Sequence, residues 1–265
     1  MTTLGQYLTA AAPAPVAPDV AREAWYQFRA DSGHKTARAP FMSEPNTKII
    51  KNRIPTISFT GNPERTSGLN ACTASTRECR ATCIRYTGRL NLPMPTTVAD
   101  TRMRFLAAHP DEACSMIHWE TTRFANKFPG DVGRRLNVVT DIRWEDFAPW
   151  LFETGVPGTD VLNYDYTKHW DRHRTPFSNY RLTFSATENH SPDDIRAKLE
   201  TGANVAVVFP HTHKETGYGP TWHGMPVVDG DETDYRWEDP EGVIVALYAK
   251  GRARKSEVGR FVKAF

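Results

Sequence analysis

The chain is poor in several things, and each shortage excludes something. Of 265 residues only four are cysteine, too few for a disulfide scaffold. No apolar run approaches the twenty or so residues that span a bilayer. The start lacks the basic, then apolar, pattern of a secretion signal. Instead residues 10–18 read Ala-Ala-Ala-Pro-Ala-Pro-Val-Ala-Pro, a proline-rich linker. There is little net charge: +2, with a pI near 8.3, which argues neither for nor against a nucleic-acid partner. No internal repeat and no second-domain boundary are visible. A cytoplasmic protein is the default expectation, with its thiols reduced.

Against that background three of the four cysteines crowd together, as Cys72-x6-Cys79-x3-Cys83. They follow a short run of strand formers, Thr56 to Thr60, after breaks at Gly61, Asn62, Pro63 and Gly68. Thiolates are soft ligands that select zinc, copper(I) or iron–sulfur clusters. Two functional readings stand beside the plain one of reduced, incidental thiols. Cys72, Cys79 and Cys83 hold an iron–sulfur cluster with one iron open, or they hold zinc with a fourth ligand from Cys114 or a histidine. Cys114 lies on the apolar stripe of its helix, where a free cysteine packs as a small hydrophobe.

The rest of the chain alternates. Val20, Ala24, Trp25 and Phe28 recur at helical spacing, with Asp19 as N-cap; Leu4, Tyr7 and Leu8 suggest one earlier turn. Residues 35–55 read as loop. Helices are expected over 98–108, from Asp111 to Phe128, and near 147–154. Ser191-Pro192-Asp193-Asp194 opens another with a capping box. Strands are expected over 135–142, 160–166, 180–186, 205–209, 226–228 and 242–249. The alternation implies an α/β fold with a mostly parallel sheet, either flat or curled into a partial (βα) barrel. Its domain would span 51–265, behind an N-terminal extension over 1–50. Links such as 168–180 are too short for a helix, so the later strands would pair irregularly. In either architecture chemistry gathers at the carboxyl ends of the strands.

Several polar groups fall there. Asp141 ends one strand. Lys168 follows another, with His169 and His173 beyond at i, i+4 spacing. Ser185 and Glu188 end a third. His211 and His213 alternate along an extended backbone and face the same way, a weak zinc or iron signal. Asp229 and Asp231, separated by a glycine and followed by Asp234 and Arg236, offer hard oxygens for magnesium or calcium. They lack the later glutamate of a calcium loop, and an acidic turn neutralised by Arg236 is the plain reading. Lys168 is either a cation for an anionic substrate, a base if buried, or a surface lysine. The basic run Lys250-Gly251-Arg252-Ala253-Arg254-Lys255 reads as a solvated tail or a weak nucleic-acid contact.

Taken together, the Cys72–Cys83 loop, Leu136-Asn137-Val138-Val139-Thr140-Asp141, Tyr164 to Lys168, Leu182-Thr183-Phe184-Ser185, Val228 to Asp231 and Asp234-Tyr235-Arg236 resemble a family of actinobacteriophage proteins of the mycobacteriophage type. That resemblance implies a phage-encoded protein acting in the cytoplasm of an infected bacterium. More distantly, Cys79-x3-Cys83 resembles the first spacing of the radical S-adenosylmethionine motif, whose enzymes curl strand–helix units into a partial barrel. Tyr86 stands where their third cysteine belongs, so Cys72 would have to substitute. Thr140-Asp141-Ile142-Arg143 replaces their glycine-rich segment. That likeness implies an iron–sulfur cluster binding S-adenosylmethionine; strand-end placement would then put Asp141, Lys168, Asp229, Asp231 and Arg236 in the substrate pocket. Two rivals remain: a metal-dependent hydrolase or nuclease using the Asp and His residues, and a zinc-stabilised, non-enzymatic module binding host protein or nucleic acid.

Overall fold

The computed structural model describes residues 12–43, 54–63, 67–172, 174–211, 219–254 and 262–263. The single turn expected around Leu4, Tyr7 and Leu8 lies outside these residues, as do His173, His213 and Lys255. The fold is α/β with a mostly parallel, eight-stranded sheet, as the alternation implies. Its strands are β1 (Thr56–Ser58), β2 (Val132–Arg135), β3 (Val161–Thr167), β4 (Tyr180–Ser185), β5 (Asn204–Phe209), β6 (Thr221–Trp222), β7 (Met225–Asp229) and β8 (Ile244–Tyr248). They lie in the order β1-β2-β3-β4-β5-β8-β7-β6. Parallel pairing joins β1 to β2, β2 to β3, β4 to β5, β5 to β8 and β7 to β8. The irregular pairing anticipated for the later strands takes the form of an antiparallel β6–β7 hairpin. Its two-residue turn has positive φ at both His223 (47°) and Gly224 (75°), the twist that a tight hairpin requires.

The chain groups into two compact units: Met1–Thr73 with Leu92–Asn163, and Ala74–Asn91 with Tyr164–Phe265. Strand β3 contributes its first residues to one and its last to the other.

In the first unit, helix α1 (Pro18–Asp31) packs against α3 (Pro93–Ala108) and α4 (Pro110–Ala125). Residues expected to form an extension thus contribute to a core. Trp25 is fully buried, edge-on to Phe41 with ring centroids 4.9 Å apart, and it also meets Phe105 at 5.1 Å. The apolar stripe read on α4 is buried as expected at Cys114, Ile117, Thr121 and Phe124. Burial pushes the Cys114 thiol well up, so it stays protonated and packs as core. Two short helices, α5 (Trp144–Phe147) and α6 (Trp150–Glu153), complete this unit.

Some expected boundaries move. Ala17, not Asp19, is the N-cap of α1, and Pro18 takes the first helical position, where its missing N–H costs nothing. Likewise α4 starts at Pro110, with Asp111 inside the first turn. The strand expected over 135–142 is instead Val132–Arg135 followed by a loop. Asn137 organises that loop. Its Oδ1 accepts from Thr140 Oγ1 and Ile142 N, both at 2.9 Å, while its Nδ2 donates to Ile142 O at 2.9 Å. A side-chain amide that satisfies local backbone groups replaces a strand ladder.

In the second unit, β4, β5 and β8 pack under helix α7 (Pro192–Glu200), with Phe184, Ile195, Val205, Val207, Phe209 and Ile244 at the centre. The expected capping box is present: Ser191 N donates to Asp194 Oδ2 (2.8 Å) and Asp194 N to Ser191 Oγ (3.2 Å). A short helix, α2 (Arg77–Ala81), carries Cys79. Among the described residues no helix is long and apolar enough to cross a membrane.

Candidate functional site

The second unit concentrates polar groups at the carboxyl ends of β3 and β4. Lys168 directly follows β3, and Ser185 is the last residue of β4. Neighbouring strands in the sheet bring the two ends side by side, and Lys168 Nζ donates to Ser185 Oγ at 2.6 Å. Both residues are half-buried. A charge-assisted bond of this length is a strong one.

Beyond Ser185 the chain turns on Thr187. Its N–H donates to His190 Nδ1 at 3.0 Å. That nitrogen must carry a lone pair, so neutral His190 holds its proton on Nε2. The ring stacks on Trp170 (centroids 5.4 Å, interplanar angle 8°) and stands edge-on to Phe184 (5.1 Å). Burial lowers the His190 pKa. Asp194 opposes that shift, while Lys263 and Lys168 reinforce it. Two ammonium groups therefore act electrostatically on one imidazole. Lys263 comes from the C-terminal segment. Its backbone N–H bonds Val208 O on β5 (2.8 Å), and its Nζ donates to His190 O (2.9 Å).

Glu188 closes one side. Its Oε2 accepts from Thr76 Oγ1 (2.9 Å), and its Oε1 takes Glu78 N (3.4 Å). Thr76 Oγ1 in turn accepts from Cys79 N (3.1 Å) as the N-cap of α2. Beneath the site, Lys198 donates to Trp170 O, and its Nζ lies 4.5 Å from the Trp170 ring centroid and 5.1 Å from that of Phe184. Burial lowers its pKa, with Asp171 opposing. Asp165 on β3, Tyr180 on β4 and Arg172 form a buried chain: Tyr180 Oη donates to Asp165 Oδ2, and Arg172 donates to Tyr180 Oη, each at 3.0 Å.

The other residues singled out from the sequence are distributed more widely. Cys72 and Asp141 come together in the first unit. Cys72 Sγ donates to Val139 O (3.7 Å), and Asp141 N to Ala71 O (2.8 Å). Cys79 and Cys83 belong to the second unit, on and just after α2, both half-buried. Among the described residues no group of three or more His, Cys, Asp or Glu side chains is arranged to hold a metal ion. The arrangement lends no support to a bound cluster. His169 is half-buried and His211 exposed.

Asp229 and Asp231 serve a turn. Asp229 Oδ1 accepts from Asp231 N (2.8 Å). Asp231 Oδ2 takes Tyr248 N, and its Oδ1 takes Lys250 Nζ, both at 2.8 Å. The glycine between them is forced by packing, since a Cβ on Gly230 would meet Val245 Cγ1 at 2.5 Å and Ala246 O at 2.9 Å. Arg236 is buried and pairs with Asp239 (3.1 Å), not with these acids. Burial still holds the Asp239 carboxyl above its usual range, with Arg236 opposing.

His190, Lys263 and Trp170 were not among the residues singled out from the sequence. A lone histidine and a lysine far along the chain carry no spacing signal. Ser185 and Glu188 were visible as polar residues at a strand end, but nothing marked Ser185 as the partner of Lys168.

The family model for gene product 88 matches residues 32–263. The chain belongs to the gene product 88 family. This family is of the phage gene-product type, in line with the first resemblance; the likeness to radical S-adenosylmethionine enzymes gains no support. No curated protein and no solved structure matches this family member.

Proposed function

We propose that this member of the gene product 88 family is a hydrolase or transferase acting on an anionic, phosphate- or carboxylate-bearing substrate at the carboxyl ends of β3 and β4. The observation that carries this reading is the 2.6 Å bond from Lys168 to Ser185, placed beside a perturbed histidine. Perturbed titratable groups gathered at the carboxyl end of a mostly parallel sheet favour a functional site over a structural one. Lys168 and Lys263 would neutralise the substrate anion. The Ser185 hydroxyl would orient it or attack it. His190, neutral near pH 7, would carry a proton through Nε2. Glu188 positions the Thr76–Cys79 turn beside them.

Calorimetric titration with inorganic phosphate and a panel of p-nitrophenyl phosphates and carboxylates tests the reading. The wild type should bind anion and turn over at least one ester class. Lys168→Ala should weaken binding at least tenfold, and Ser185→Ala should lower turnover while the fold is retained. Equal binding by wild type and Lys168→Ala would contradict it.

A second reading rests on Cys79 and Cys83, half-buried and four residues apart. In it these two thiolates bind a single soft metal ion such as zinc. Iron, zinc and sulfide analysis of oxygen-protected protein, alongside Cys79→Ser, decides it. Metal-free protein would end it.

A further inference from the structure

The first unit contains a cleft that the proposed reaction does not use. It measures about 240 Å³ and is lined by Tyr26 of α1, by Arg38, and by Trp119, Arg123 and Lys127 on and just after α4. Its floor is apolar, with Met42, Ile57 and Phe124. Three cations thus face the cleft, and all three are exposed. The one carboxylate in the wall, Glu120, is already engaged: Oε1 accepts from Phe41 N (2.8 Å) and Oε2 from Met42 N (2.7 Å). The cleft is therefore electropositive.

Two of the nearby guanidinium groups are held in place. Arg123 lies 4.8 Å and Arg22 5.4 Å from the Trp119 ring centroid, within cation–π range. A guanidinium held on a ring loses less rotamer freedom when it grips an anion. The volume is small, below the ~300 Å³ at which drug-sized pockets begin. It suits one planar ring and one phosphate. Cations for the phosphate beside an aromatic ring for a base make up the pattern by which proteins hold nucleotide units without reading sequence.

We propose that this cleft binds a nucleotide unit, its phosphate on Arg38, Arg123 and Lys127 and its base against Tyr26, presented either as a free nucleotide or within a single strand. The inference is independent of the Lys168–Ser185 site and survives if that reading fails.

Fluorescence anisotropy of a labelled ten-residue oligothymidylate, with thymidine monophosphate and inorganic phosphate as competitors, tests it. Saturable binding is expected at low salt. It should weaken as salt rises, with a log–log slope of roughly −0.7 for the one contacted phosphate. The double variant Arg38→Glu/Arg123→Glu should weaken binding at least tenfold with thermal melting unchanged. Tyr26→Ala should weaken binding of the strand and the nucleotide severalfold. Competition by the monophosphate identifies a free nucleotide as sufficient. Binding of the strand without such competition identifies a polynucleotide. Either supports the proposal. It is overturned by absence of saturable binding, by unchanged binding in the double variant, or by inorganic phosphate competing as well as the nucleotide.

Discussion

Each unit holds a cluster of charged groups, and the two use charge differently. In the first unit Arg102 on α3 is buried. It donates to Ser43 Oγ (3.0 Å), Met42 O (3.1 Å) and Thr60 O (3.3 Å). Glu120 on α4 holds the N–H groups of Phe41 and Met42. Both charges are spent on the backbone, clamping residues 40–43 where they enter the core. Burial lowers the Arg102 pKa to about 10, with Glu120 opposing, and burial raises that of Glu120. In the second unit Lys168, Ser185, His190 and Lys263 include side-chain to side-chain contacts and remain half-buried. A buried charge bound to carbonyls is part of the scaffold. Lys168, half-buried and set against a hydroxyl, is the charge that the proposed reading gives to a ligand.

The sharpest break in that comparison is Arg102→Met. Glu120 loses a buried counter-charge, and several carbonyl and hydroxyl acceptors lose their donor. Urea denaturation should show a loss of about 3–5 kcal/mol, as for other broken buried pairs. A loss below about 1 kcal/mol would mean that the clamp is not structural. Trp25→Ala in the same core should cost about 3–5 kcal/mol and calibrates the first value.

Lys168→Ala should behave in the opposite way, with a stability change of about 1 kcal/mol or less and anion binding reduced at least tenfold. A variant that unfolds would move Lys168 into the scaffold class.

Acid sharpens the contrast further. His34, His118 and His190 all have pKa values lowered chiefly by burial, so the fold prefers them neutral. Their contribution is fully present above the ordinary histidine value near 6.5 and is lost as pH falls from there through their depressed values. Glu120 works the other way: its raised pKa makes the fold take up that proton first, so acid favours the folded state at that site. Denaturation midpoints should therefore decline below pH 6.5, and His190→Gln should flatten part of the decline. Smallest of all, Ser191→Ala removes the α7 cap and should cost about 1 kcal/mol, without effect on anion binding.

The parallel α/β plan was legible because its signals are local. Val205 to Phe209 is a continuous run of β-formers, Ser191–Asp194 is a complete capping box, and the α4 stripe repeats at three and four. The strand placed over 135–142 failed because Leu136, Val138 and Val139 carry strand propensity, while Asn137 gathers the backbone around itself. The β6–β7 hairpin was missed because its strands are two and five residues long and only Gly224 signals the turn. The site was half legible. Lys168 and the strand-end location could be read, since topology fixes where strands end. Ser185, His190 and Lys263 could not be matched to Lys168, because their pairing depends on strand order and on a tail that returns to β5. Asp229 and Asp231 looked available because sequence does not show that the Asp231 N–H occupies Asp229, or that the Tyr248 N–H and the Lys250 ammonium occupy Asp231.

One measurement bears most directly on the claim that Lys168, Lys263 and His190 form a single anion-receiving group. It is an NMR pH titration of the His190 ring in the wild type and in Lys168→Ala, each with and without inorganic phosphate. The account predicts a wild-type pKa below the ordinary histidine value and protonation at Nε2 in the neutral ring. It also predicts an upward shift both when Lys168 is removed and when phosphate binds beside the two ammonium groups, with the phosphate response diminished in the variant. A His190 titration that responds to neither change would contradict it.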